Sequence, residues 1–157
     1  MIYMKIYVSS YAPISSRNIS VGYVVYRKLK QVHSGGAYFR SQLTGRQEGN
    51  YVAILFSLYD ILENTKLKGP ANVIIDDKDI AEHLFRGAKS VNKHPTLYQE
   101  YCQKIREYAK KIPIDDFIFS IKLIDPKLKE AHAVAKDKKN MPDLTDKFEE
   151  IKAGTPI

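Results

Sequence analysis

Acidic side chains are missing from residues 1 to 47, while Lys5, Arg17, Arg27, Lys28, Lys30, Arg40 and Arg46 all stand there. A stretch so one-sided in charge suits an anionic partner and excludes an acidic-surface function for this part of the chain. Cysteine is nearly absent too. The single Cys102 rules out an internal disulfide, so a reducing, cytoplasmic or otherwise intracellular setting is expected. Within YQEYCQKIREY its thiol is expected in a core, not as a nucleophile. No run approaches the roughly 18 apolar residues that would span a bilayer, and the opening MIYMKIYVSSYAP alternates, so no membrane partner is expected. No internal repeat or low-complexity segment breaks the pattern.

What remains is the composition of one globular domain. The 157 residues are 44% hydrophobic and 11% aromatic, enough for a real core. The formal charge of +7 is concentrated. From Arg86 to Lys111 there are seven Lys or Arg against Glu100 and Glu107, and this stretch, like the first, has the charge to track a phosphate backbone. A solvated helix face and loop is the plainer reading of such a charge run.

Periodicity gives the elements. KIYV at 5–8 reads as a short strand, ISVGYVVYRK at 19–28 alternates at period two, and Ser34-Gly35-Gly36 punctuates before a third strand around Ala37 to Leu43. Three strands before any helix read as an antiparallel meander. Tyr51, Ile54, Leu55, Leu58, Ile61 and Leu62 then share one helical stripe. Gly69-Pro70 ends that unit, and ANVIID at 71–76 suits a buried parallel strand. Asp76 or Asp77 can cap the next helix, with Ile80 and Leu84 on its core face and Gly87 as its stop. Leu97, Tyr101, Ile105 and Tyr108 mark a third helix, closed by Ile112-Pro113. DFIFSIKLI at 116–124 is the fifth strand. Pro126 opens a last helix through LKEAHAVAKDKK, and residues 139–157 form a tail with room for a short helix around Leu144 to Ile151.

Three strands, a helix, a strand, two helices, a strand and a helix is the element order of the ribonuclease H-like superfamily, and local motifs agree with it. GRQEGNYVAILFSL resembles the first helix of ribonuclease HI-type domains, roughly TNNxAEYxALIxAL; VIID resembles the fourth strand; LKEAHAVA resembles the family's NKxADxLA. The resemblance covers about residues 4 to 138, and the domain is expected to span residues 1 to 138. It implies an α/β fold with a five-stranded mixed sheet in the order 3-2-1-4-5, flanked by helices.

The family holds two divalent cations with four carboxylates, one metal activating water and the other stabilising the leaving oxygen. The matching positions here are Ser9 (in IYVSSY, where the family reads IYTDGS), Asn50, Asp76 and His132. One acid of four remains. Magnesium prefers hard, charged oxygen ligands, so no catalytic set and no cofactor are expected, magnesium or manganese entering only if the chain is an active nuclease. Asp76 and His132 are the two candidate transition-metal ligands, too few for a site. Glu48 would replace Asn50 poorly, since two residues on a helix is a rotation of about 200°.

The resemblance also implies a basic protrusion after the second helix, where Arg86, Lys89, Lys93 and His94 fall. With Lys104 and Arg46 these are the candidate nucleic-acid contacts. Tyr3, Tyr7, Tyr11, Tyr23 and Tyr26 could stack on bases, but covering the sheet is the commoner use of strand tyrosines. His33 and His94 are expected in exposed loops. Three functions follow: a catalytically inactive ribonuclease H-like domain that binds RNA–DNA hybrid or structured RNA by charge; a divergent metal-dependent endonuclease; and a protein-interaction or assembly domain, with a protein partner or a second copy. The first is preferred, because the missing acids oppose the second.

Overall fold

A computed structural model describes residues 3–11, 18–40, 46–86, 95–137 and 141–147. The elements run β1 (Met4–Tyr11), β2 (Asn18–Arg27), β3 (Lys30–Arg40), α1 (Arg46–Asn64), β4 (Ala71–Ile75), α2 (Lys78–Arg86), α3 (Pro95–Lys111), β5 (Ile114–Phe119) and α4 (Pro126–Lys136). They build a five-stranded sheet in the order β3-β2-β1-β4-β5. β1 pairs antiparallel with β2 and parallel with β4, Lys5 to Val8 lying beside Asn72 to Ile75. Element order and strand order are those expected from the sequence.

Side-chain alternation sorts each strand between two faces. Ile6 and Val8 of β1, Val21, Tyr23 and Val25 of β2, and Val73 and Ile75 of β4 enter the main core with α1 and α3. Tyr7, Val24, Tyr26 and Ile74 turn the other way and meet Leu128 and Ala131 of α4. α1 is buried more widely than one stripe, because it is sandwiched between the sheet and α3: Val52, Ala53 and Phe56 are covered as fully as Tyr51, Ile54 and Leu58. Burial of each such side chain is worth roughly 1.5–3 kcal/mol.

Glycine sets how close α4 can come. A Cβ on Gly22 would lie 2.5 Å from the Ala135 backbone N and 2.7 Å from the Ala131 backbone O, so only a side-chain-free residue lets the helix rest there. Gly22 pairs with Ser9 on β1 and Gly36 on β3, and an open pocket of about 420 Å³ lies along this row beside Gly36 and Val134.

Three boundaries differ from the sequence reading. β3 begins at Lys30, not Ala37, with Ser34-Gly35-Gly36 inside it. The glycines are there because Asp60 and Tyr23 crowd Gly35, while Met141 and Val134 crowd Gly36. β5 covers 114–119 and stops short of Ile124. The chain turns because the Ile121 carbonyl accepts from the Ile124 and Asp125 amides at 3.0 and 2.9 Å. The third concerns the tail. Met141 to Lys147 joins the open side of β3: the Tyr38 N–H donates to Pro142 O and the Leu144 N–H to Tyr38 O, both at 3.0 Å. A helical turn starts at Thr145, and the rest of the helix expected there lies outside the described residues.

No described helix is long and apolar enough to cross a membrane. Cys102 is buried, and that burial pushes its thiol up, as a core cysteine requires.

Candidate functional site

The C-terminal end of β1 carries Ser9 and Ser10, whose side chains leave the sheet on opposite faces. Ser9 turns toward α4, where its Oγ lies 3.0 Å from His132 Nδ1. Ser10 turns toward α1 and donates to Asn50 Oδ1 at 2.8 Å. Asn50 in turn donates from Nδ2 to Asp77 Oδ2 at 3.2 Å. Because Val8 pairs with Ile75, Asp76 follows at the end of the neighbouring strand. Ser9, Asn50, Asp76 and His132 therefore gather at one end of the sheet, divided between its two faces.

The acids there already have structural duties. Asp77 Oδ1 accepts the Ile80 N–H at 3.1 Å, which settles the α2 cap on Asp77. Asp76 Oδ1 accepts the Lys122 backbone N–H at 3.3 Å and so holds the turn after β5. Glu48 is buried, and its Oε2 accepts from the Tyr101 hydroxyl of α3 at 3.1 Å. It is committed to the α1–α3 contact and does not replace Asn50. Sequence reasoning missed Ser10 as a member of this cluster, although it adjoins Ser9.

The donor set suits hydrogen bonding better than two hard cations. Ser9, Asn50 and His132 offer a hydroxyl, an amide and an imidazole, already engaged with one another or with Ser10 and Asp77. Among the described residues no group of three or more His, Cys, Asp or Glu is placed to hold a metal ion. Two magnesium ions would lack the charge they require.

His132 also meets the Tyr11 ring edge-on at 6.1 Å, and the Lys136 ammonium stands 5.3 Å from that ring's centre. The other strand tyrosines mainly cover the sheet. Tyr23 is wholly buried, and its hydroxyl donates to Asp60, which with burial holds the phenol far above its ordinary range. Tyr26 donates to Glu130 at 2.8 Å, and this bond leads in pushing the phenol up to about 12. Lys127 lies 4.9 Å from the Tyr26 ring centre and 5.8 Å from that of Tyr7. Of the five tyrosines singled out from the sequence, only Tyr3 is exposed, at 39%.

The candidate nucleic-acid contacts are placed unevenly. Lys89, Lys93 and His94 lie outside the described residues, as do the side chains of Arg46 and Arg86, whose backbones start α1 and end α2. Lys104 is corrected: it is buried, and its ammonium pairs with Glu107 one helical turn on, at 3.1 Å. The exposed cations of α3 are Arg106, Lys110 and Lys111. His33 is also corrected. It lies on β3, half-buried, with Nε2 3.8 Å from the Asp60 carboxylate.

No protein-family model matches the chain, and no curated protein does. Solved structures do. The N-terminal RNase H domain of Rv2228c from Mycobacterium tuberculosis superposes with a TM-score of 0.67 at 15% identity, over 87% of this chain and 93% of that one. RNase H1 from Halobacterium salinarum gives 0.67 at 17% identity, over 85% and 95%. LC11-RNase H1, solved in complex with an RNA/DNA hybrid, gives 0.65 at 19% identity, over 82% and 92%. With the sheet order and helix placement above, these likenesses give the chain the ribonuclease H-like fold.

Proposed function

We propose that this chain is a catalytically inactive ribonuclease H-like domain that binds nucleic acid, either RNA–DNA hybrid or structured RNA, by charge. One observation carries the reading. At three of the four positions where the resembled family has acids, Ser9, Asn50 and His132 stand instead, and their polar groups are engaged in hydrogen bonds. Removing those negative charges weakens metal binding and also lessens repulsion between that end of the sheet and a phosphate backbone. The acid-free first 47 residues and the basic stretch from Arg86 to Lys111 supply the attraction. The likeness to LC11-RNase H1, which was solved on a hybrid, supports that class of partner.

Direct binding and cleavage assays on an RNA–DNA hybrid, with magnesium and separately with manganese, test the reading. Binding at low salt without cleavage is the expected result. Specific cleavage abolished by Asp76→Asn would instead establish the divergent nuclease. Failure of hybrid, duplex and single strands to bind would leave the protein-interaction class.

A further inference from the structure

Five apolar side chains are exposed within one short stretch where β5 ends: Ile118 at 37%, Phe119 at 42%, Ile121 at 45%, Leu123 at 79% and Ile124 at 74%. Two features of the fold produce this. β5 is an edge strand, and α4 lies over β2, β1 and β3, so on that face of the sheet no described helix reaches Ile118 of β5. The turn beyond the strand is then fixed in place. Asp76 Oδ1 accepts the Lys122 N–H, and the Ser120 hydroxyl donates to Asp125 Oδ2 at 3.1 Å. Ile118 and Phe119 alternate to opposite faces of β5, so both sides of this sheet edge are apolar, the arrangement expected of a pairing surface.

The backbone is set for pairing as well. The Ser120 N–H donates inward to Ile75 O at 3.0 Å, so by alternation the N–H and C=O groups of Phe117 and Phe119 point out of the sheet. Charge along the strand then selects the orientation. Asp115 and Asp116 stand at its start, and Lys122 follows its end. A parallel neighbour of the same sequence would set the acids against their own copies. An antiparallel one sets Asp115 and Asp116 of each strand toward Lys122 of the other. The acid pair also opposes nucleic acid or an anionic membrane as the occupant.

We propose that β5 of one copy pairs antiparallel with β5 of a second copy about a two-fold axis, covering Ile118, Phe119 and Ile121 and joining the sheets edge to edge. The interface is isologous, so each copy supplies the same apolar centre and the same two charged ends. It does not depend on nucleic-acid binding.

Sedimentation equilibrium over a concentration series tests the pairing. The wild type is expected to dimerise. Phe119→Lys should be monomeric with an unchanged circular dichroism spectrum. Asp116→Lys and Lys122→Asp should each raise the dimer dissociation constant by about tenfold, since two-fold symmetry makes every substitution act twice. Together they should restore it, which general destabilisation would not do. A wild type that stays monomeric at every concentration, or a dimer indifferent to all of these substitutions, overturns the proposal.

Discussion

Ser9 on β1 and His132 on α4 are 123 residues apart in the chain and 3.0 Å apart in the fold. In the resembled family both positions are acids, and two carboxylates so placed need cations between them. A hydroxyl and an imidazole need none, since they satisfy each other.

Magnesium should therefore leave the unfolding temperature of the wild type unchanged, and hybrid should survive incubation with it. Ser9→Asp, Asn50→Glu and His132→Asp combined should create a metal response in calorimetry. A ligand present at a hundredfold excess over its dissociation constant stabilises the folded state by about 2.7 kcal/mol. A magnesium-dependent rise of that size in the wild type would contradict the donor-set argument.

Asn50 joins β1 to the start of α2, accepting a hydrogen bond from the Ser10 hydroxyl and donating one to Asp77. Asn50→Ala should cost about 1–3 kcal/mol in urea unfolding, because a buried hydroxyl loses its acceptor. An effect near zero would mean that water takes over both bonds.

Gly22→Ala should destabilise by about 1–3 kcal/mol, the usual cost of overpacking, and should lift α4. The atoms in the way are backbone atoms of Ala131 and Ala135, which have no flexible end to swing aside. A chemical-shift change at the His132 ring in the variant's NMR spectrum would report the movement. An unmoved ring with unchanged stability would refute the close contact.

Tyr26 offers a pH test. Its hydroxyl donates to Glu130, and its phenol is raised from 10.0 to about 12. A raised folded-state value means that the folded form holds the proton more tightly. Its contribution to stability is complete below the ordinary phenol range and is lost as pH climbs toward 12. Ultraviolet titration should show several tyrosinates forming late, those of Tyr7, Tyr23, Tyr26 and Tyr108, and Glu130→Gln should bring one of them earlier. Identical curves for the two proteins would count against the assignment.

Reversing charge at Arg86, Lys89 and Lys93 should weaken hybrid binding and flatten the line of log affinity against log salt. Each phosphate contact removed lowers that slope by about 0.9 on B-form DNA. Fluorescence anisotropy at several salt concentrations measures it. A slope that does not move would place the contacts elsewhere, with Arg106, Lys110 and Lys111 of α3 the next cations to reverse.

Patterns with a short period were legible in the sequence. The alternation of β2, the α1 stripe around Ile54 and Leu58, and the VIID strand all fell where expected, because burial, on both faces of β2 and β4 and around most of α1, demands apolar residues at the period of each element. The gathering of Ser9, Asn50, Asp76 and His132 at one sheet end was also legible, through register and motif. Features that depend on distant neighbours were not. Nothing near Ser34-Gly35-Gly36 shows that Asp60, Tyr23 and α4 need the space, so glycines within a strand looked like a break. Ile121 to Ile124 looked like more β5 because a turn fixed by Asp76 leaves no local signature. Lys104 counted as a surface charge, although its helix buries that face and Glu107 balances it.

The segment at Pro142 to Leu144 bears on how large any assembly becomes. By occupying Tyr38 on the open side of β3, it makes the two margins of the sheet unequal: one is already engaged near its end, the other is uncovered among the described residues. A β5 strand arriving from another molecule would meet an occupied ladder at Tyr38, whereas another β5 offers an unobstructed match. Head-to-tail growth into a fibre requires two unlike margins that are both available. With the proposed β5 pairing like joins like, and growth would end at two.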